Sequence, residues 1–237
     1  LVEKYAVVVY TAAARDNLKA QPTEHWKLAG LGVSKEFPDF PPWPNVEEEF
    51  RKIVRRTPDD QQGVIDGVVY LNQDFTAKRL SDLLTTGDYP VMHIASHFRF
   101  SPEGNETTSF LLLGDGNKLS IAEIRKQYQF PKVDLLTRSA CNTAMGNYGT
   151  GKEIEGFGVS AQRNGAKGVL ASLWAVDDSS TAVFMQYLYR LHNVNTTPLN
   201  KALALQAAQK LFIEGKEVQG YKHPYYWAPF ILMGNWL

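Results

Sequence analysis

The sequence predicts an α/β fold in which a mainly parallel central sheet carries helices on both faces. Three observations lead there. Residues 5–10 (YAVVVY) are a β-branched run without alternation, the pattern of a strand covered on both faces, and residues 89–96 (YPVMHIAS), 133–140 (VDLLTRSA) and 168–174 (GVLASLW) read as further, largely apolar strands. Between and after such runs lie capped, amphipathic segments of about 8 to 16 residues that read as helices, so strands and helices alternate. The chain has 237 residues and is 44% hydrophobic, enough for a sizeable core, and one domain over residues 1–237 is expected.

Taken in order, residues 5–10 (YAVVVY) read as a first central strand, and residues 28–33 (LAGLGV) resume a strand after a polar stretch. Residues 37–44 (FPDFPPWP) cannot be regular, because their prolines block backbone pairing, yet their aromatic rings must pack on something. Asn45 is placed to cap a helix over residues 46–56. Glu47, Glu48 and Glu49 fall in its first turn and Lys52, Arg55 and Arg56 in its last, which suits the macrodipole and reads as a solvated face. Residues 63–71 read as a strand and residues 76–84 as a helix with Leu80, Leu83 and Leu84 on one side. Residues 109–113 and 118–119 flank a glycine-rich turn and predict a hairpin, after which Ser120 and Glu123 form a capping box for a helix to about Tyr128. A helix over residues 152–164 closes at Gly165. One of Asp177, Asp178, Ser179 and Ser180 caps a helix to Leu191, and Pro198 opens another to Ile213, whose stripe of Leu203, Ala207 and Leu211 reads as core. Residues 227–233 (WAPFILM) read as the last strand.

Composition narrows the function. Lysine plus arginine equals aspartate plus glutamate at 25 each, so no global field calls for nucleic acid or a membrane surface. No apolar run approaches the roughly 20 residues that span a bilayer. The sole cysteine, Cys141, allows no intrachain disulfide, and a free thiol suits a reducing cytosol, so a cytoplasmic location is expected. The chain opens on Leu1 without a signal peptide's pattern, which suggests a piece of a longer protein.

Cys141 follows an apolar run that breaks off into small and polar residues, SACNT. A thiol there stands at the edge of the core, where a reactive cysteine is useful, although a lone cysteine is more often a small buried hydrophobe. In an open parallel sheet, ligands bind beyond the carboxyl ends of the strands. His97 follows the strand at 89–96, so if that strand and the one before Cys141 are parallel neighbours, imidazole and thiol reach one edge. There the imidazole can take the thiol proton and leave a thiolate nucleophile. His93 competes for the role of base, but four residues along a strand put it about 13 Å back within the sheet, where it reads as a core histidine with a satisfied hydrogen bond.

The segments HIASH, SACNT, EGFGVSAQRNGAKGVLASLWAVDD and HPYYWAPFILMG together resemble the CHAT domain, a caspase-like branch related to separases. The resemblance runs from about Leu28 onward. It implies a caspase-haemoglobinase fold, a three-layer sandwich around the central sheet. It also implies a cysteine endopeptidase whose histidine–cysteine dyad carries over to His97 and Cys141, with a protein substrate and no cofactor or metal. Such domains often follow tetratricopeptide repeats, which would lie upstream of this chain. The backbone N–H groups of Cys141 and Phe98 would hold the oxyanion. Many relatives have glycine where this chain has Phe98, a bulkier residue able to cover the cleft. The loop holding Asp177 and Asp178 would line the pocket for the residue before the cut, and an acid there favours arginine or lysine. The plain alternative is that both aspartates cap the helix.

Other readings fare worse. GNYGTGK nearly spells a phosphate-binding loop, but Glu153 stands where a hydroxyl must hold magnesium. His93 and His97 have the spacing of a helical zinc site, yet on a strand the two rings are too far apart for one metal. A serine-hydrolase elbow is absent. The main alternatives are a catalytically silent domain that binds a partner through the same cleft, and a latent protease that acts only once a loop such as the glycine-rich stretch 146–151 moves.

Overall fold

In a computed structural model, the description covers residues 1–18, 20–101, 105–139, 152–174, 177–193, 199–216 and 218–237, with the backbone alone for residues 152–156. Eleven strands are β1 (Val8–Val9), β2 (Leu28–Gly32), β3 (Val54–Arg55), β4 (Ile65–Leu71), β5 (Val91–Ala95), β6 (Phe98–Arg99), β7 (Phe110–Leu112), β8 (Lys118–Ser120), β9 (Leu135–Arg138), β10 (Gly168–Ser172) and β11 (Phe230–Gly234). Among the described residues the six α-helices are α1 (Asn45–Ile53), α2 (Ala77–Thr86), α3 (Ile121–Gln127), α4 (Lys152–Arg163), α5 (Asp178–His192) and α6 (Lys201–Glu214).

Eight strands form one sheet in the order β1-β11-β10-β9-β5-β2-β4-β3, parallel throughout except where β11 runs antiparallel to β10. The fully buried strands β2, β5, β9 and β10 are the ones whose sequences lack alternation. Side chains alternate along them between two cores. Met92, Ile94 and Leu136 face α2, α3 and α4, while Val91, His93 and Leu135 face α1, α5 and α6. The result is the expected sandwich of helix, sheet and helix. A separate three-stranded sheet, β6-β7-β8, lies beyond β5, so the expected hairpin gains the two residues after His97 as a third strand.

Glycine decides how closely α1 lies on the sheet. A Cβ on Gly30 or Gly32 of β2 would stand 2.5 or 2.7 Å from the ring of Phe50. Only their bare backbones let Phe50 lie against the strand, and that approach carries its neighbour Glu49 inward. Capping follows the sequence in most places. Thr76 caps α2, Ser120 and Glu123 form the capping box of α3, and Asp177 caps α5.

Some expectations change. Residues 5–10 are not a central strand: only Val8 and Val9 pair, on the edge of β11, and Tyr5 and Tyr10 stay exposed. A β-branched run signals a strand without saying where in the sheet it goes. Asn45 is the first residue of α1 and not its cap, and the helix stops at Ile53, where the chain turns into β3. The first turn of α1 is not wholly solvated, because Glu49 is buried. On α6 the core face is Ala202, Leu205, Ala208 and Phe212, whereas Leu203 is exposed. The helix is apolar nearly all round, so periodicity alone picked the wrong stripe.

Under the amino ends of the strands, Trp26 stacks on His192 with ring centroids 3.5 Å apart. Burial holds the His192 imidazole well below its ordinary value, at about 4, and the nearby Lys201 charge acts the same way. The unfolded chain therefore binds a proton near pH 6.5 that the native chain refuses until about pH 4, so stability falls with acidification across that window. Between pH 7.5 and 5 this one group should cost on the order of 2 kcal/mol. Urea unfolding at both pH values should show His192→Phe, which keeps the stack, losing that much less than wild type; equal losses would mean His192 is not the acid-sensitive group.

Candidate active site

β5 and β9 are parallel neighbours, in register from Val91↔Leu135 to Ile94↔Arg138, and the Ser139 N–H continues the pairing to the Ile94 carbonyl at 3.3 Å. In sequence His97 stands three residues beyond Ile94, and Cys141 three beyond Arg138. The two strands thus end at the same carboxyl edge, where His97 and Ser139 follow them. Cys141 and the glycine-rich stretch 146–151 lie outside the described residues.

His97 is built into a cradle made by residues 37–44. Its ring stacks on Trp43 at 4.3 Å and 19°, and Phe40 closes from the side at 5.1 Å. Nε2 lies 2.9 Å from the Pro41 carbonyl oxygen. A carbonyl only accepts, so Nε2 carries a proton, and in the neutral ring the basic lone pair is on Nδ1. The ring is fully buried, and burial holds its pKa below the ordinary value while the Pro41 carbonyl pulls the other way. The proline-rich loop therefore does have a partner for its aromatics, and the partner is this imidazole.

Phe98 does not cover the cleft. Its ring is buried in the core, 5.9 Å from Phe157, with the Arg138 guanidinium 4.8 Å from its centre. His97 bonds across to β7 through its carbonyl, which accepts from Leu112 N–H at 2.9 Å. In an antiparallel ladder the next residue then turns its own N–H away, so Phe98 N–H points off β7 rather than into it.

The two aspartates take different places. Asp177 is exposed and caps α5, its Oδ1 accepting the Ser180 N–H at 3.0 Å. Asp178, half-buried, turns toward α1. Burial raises its pKa, the negative charges of Glu49 and Asp177 add to this, and a hydrogen bond from Asn45 opposes it. Both follow β10, which is parallel to β9, and so share its carboxyl edge. Asp134 lies at the other end of β9, held by Trp26, Lys167 and Lys201, and Asp115 sits in the turn before β8.

His93 is the core histidine expected from the sequence. It is fully buried, with Nδ1 2.9 Å from the Tyr189 hydroxyl and Nε2 3.0 Å from Glu49 Oε1. The sequence reading overlooked Glu49. The signal was present in the spacing, since Val46, Glu49, Phe50 and Ile53 fall on one helical face and the other three are apolar.

Comparison with known proteins places this architecture. The CHAT domain family model matches residues 1–235. No curated protein matches the sequence. Among solved structures, the Arg specific cysteine proteinase gingipain R aligns with a TM-score of 0.56 at 10% identity, over 94% of this chain and 51% of its own. The Saccharomyces cerevisiae separase, in its complex with securin, aligns with a TM-score of 0.58 at 15% identity, over 98% of this chain and 14% of its own. This chain thus spans about half of the proteinase chain and a small part of separase, and at such identities the likeness is one of fold.

Proposed function

This chain belongs to the CHAT domain family, and on that premise we propose that it is a cysteine endopeptidase that cuts a protein substrate after a basic residue through His97 and Cys141. The observation that carries the reading is the fixed tautomer of His97. Pro41 occupies Nε2 and leaves Nδ1 as the base, just past the strand paired in parallel with the one that leads toward Cys141.

Nδ1 of His97 takes the proton from the Cys141 thiol, and the thiolate attacks the peptide carbonyl carbon. The carbonyl π pair moves to oxygen, where the N–H groups of Phe98 and Cys141 hold it, each worth roughly 3 kcal/mol in related acyl-transfer sites. The tetrahedral intermediate collapses as the imidazolium gives its proton to the leaving amine, and a thioester remains. Water then attacks the thioester with Nδ1 again as base, and the acid leaves with the thiol restored. Of the two aspartates, Asp178 suits the specificity pocket, because Asp177 is committed to its cap.

The complete burial of His97 under Trp43 supports a latent enzyme, in which the cover must shift before substrate reaches Nδ1. A protein regulator or upstream tetratricopeptide repeats would provide that shift, in a cytoplasmic setting suited to a free thiol. The test uses two peptidyl acyloxymethyl ketones differing only in arginine or glutamate at the reactive residue. The arginine reagent should label Cys141 at least tenfold faster, with the preference lost in Asp178→Asn. Labelling no faster than that of free cysteine, both in wild type and in Trp43→Ala, which removes the cover, would instead mark a silent domain that binds a partner, and a faster glutamate reagent would refute the basic preference.

A further inference from the structure

Behind the carboxyl edge lies a buried polar group that the proposed reaction does not use. Glu49, on α1, is buried on the helix face it shares with Val46, Phe50 and Ile53, all of them core residues. Taking a carboxyl group out of water is expensive, and an apolar residue of similar size would often serve stability as well. What Glu49 touches suggests why it is there. Oε1 lies 3.0 Å from His93 Nε2 on β5, a close contact without hydrogen-bond alignment, and Oε2 accepts from the hydroxyl of Ser139, which follows β9, at 3.3 Å. Tyr189, on α5, repeats the connection one step back. Its hydroxyl lies 2.9 Å from His93 Nδ1 on β5 and 2.7 Å from Thr137 Oγ1 on β9.

Each of these two side chains spans the same pair of strands, and His93 belongs to both spans. Backbone pairing fixes the register of β5 and β9, and among the described residues its last link is the Ser139–Ile94 contact of 3.3 Å. The side-chain contacts reach across at that end. Ser139 stands two residues before Cys141, and His93 four residues before His97.

We propose that Glu49, His93 and Tyr189 form a clamp across β5 and β9 that holds Cys141 at its working distance from His97, with Ser139 as the point where the clamp grips the cysteine's strand. Glu49, Ser139 and Tyr189 are positioning residues. None contacts the substrate, and each acts by setting where two other groups stand. The proposal rests on the His97–Cys141 reading above.

The test compares wild type, Ser139→Ala, Tyr189→Phe, Glu49→Ala, Glu49→Gln and the double variant Ser139→Ala/Glu49→Gln in the full protein, with kcat and KM on an arginyl peptide and the iodoacetamide rate of Cys141. Ser139→Ala and Tyr189→Phe each remove one hydroxyl and little volume, so the fold should survive. Each should lower kcat about 3- to 10-fold with KM changed less than twofold. Glu49→Ala should lose more, and Glu49→Gln, which keeps the shape and an acceptor, should recover most of that loss. The double variant should lose no more than Ser139→Ala alone, since glutamine only keeps an acceptor for a hydroxyl that Ser139→Ala has already removed.

A merely structural role would lower the thermal midpoint and leave the kcat of the folded fraction unchanged. Wild-type kcat in Ser139→Ala and Tyr189→Phe, with iodoacetamide reactivity still dependent on His97, would overturn the clamp and leave the dyad standing. Reactivity of Cys141 that does not change in His97→Ala would overturn both.

Discussion

Replacing His97 with alanine should lower kcat/KM on an arginyl peptide by about 10³-fold, a loss of roughly 4 kcal/mol of transition-state stabilisation. The size follows from what the ring does in the proposed reaction, where it accepts the thiol proton and later protonates the amine, so its removal harms both halves. Part of any loss could come from the empty cradle, because Trp43, Phe40 and the Pro41 carbonyl would all lose their partner. His97→Gln separates the two effects. Glutamine fills much of the space and can donate to Pro41, but it has no basic nitrogen. It should therefore regain thermal stability relative to the alanine variant without regaining activity. Steady-state kinetics on both variants beside Cys141→Ala measure this. Near wild-type turnover in His97→Gln would show that no base is needed at that position.

The sequence made the central layer legible because burial on both faces leaves a strong mark. The runs at 89–96, 133–140 and 168–174 hold no regular polar alternation, and β5, β9 and β10 are buried along their length. That placed His97 just past one central strand and Cys141 just past another in sequence, while the parallel pairing of the two strands is seen only in the structure. The edge strand was misread because composition carries no information about position in a sheet. YAVVVY looks like a core strand, but only two of its residues find partners.

The roles of Pro41 and Trp43 could not be read from local pattern, since both depend on contacts with a residue more than fifty positions away. The prolines said only that the segment is irregular and the aromatics only that it packs. Glu49 failed for the opposite reason. Its local pattern was informative, because it lies on the apolar face of α1, but three glutamates in a row suggested a solvated first turn. Asp177 and Asp178 were equivalent in sequence, and the cap separates them.

The largest effect on folding should come from the amino end of β9, where Asp134 is fully buried. Its Oδ2 accepts the Trp26 indole N–H at 2.9 Å and lies 3.3 Å from Lys201 Nζ, and its Oδ1 lies 3.3 Å from Lys167 Nζ. Lys201 is itself buried, and burial lowers its pKa while Asp134 holds it up. Asp134→Ala leaves that ammonium without its counter-charge and the indole without its acceptor, which should destabilise the protein by about 3–5 kcal/mol. A native-state lysine pKa below the unfolded value means that the unfolded chain binds more protons, so the variant's stability should rise with pH more steeply than wild type. Asp134→Leu combined with Lys201→Met removes both buried charges at once and should recover most of the loss, since an apolar pair of similar volume avoids the desolvation cost. Urea unfolding of the three proteins at pH 7 and 9 decides it. A single variant within 1 kcal/mol of wild type, or a double variant no better than Asp134→Ala, would mean the lysine reaches water without the aspartate.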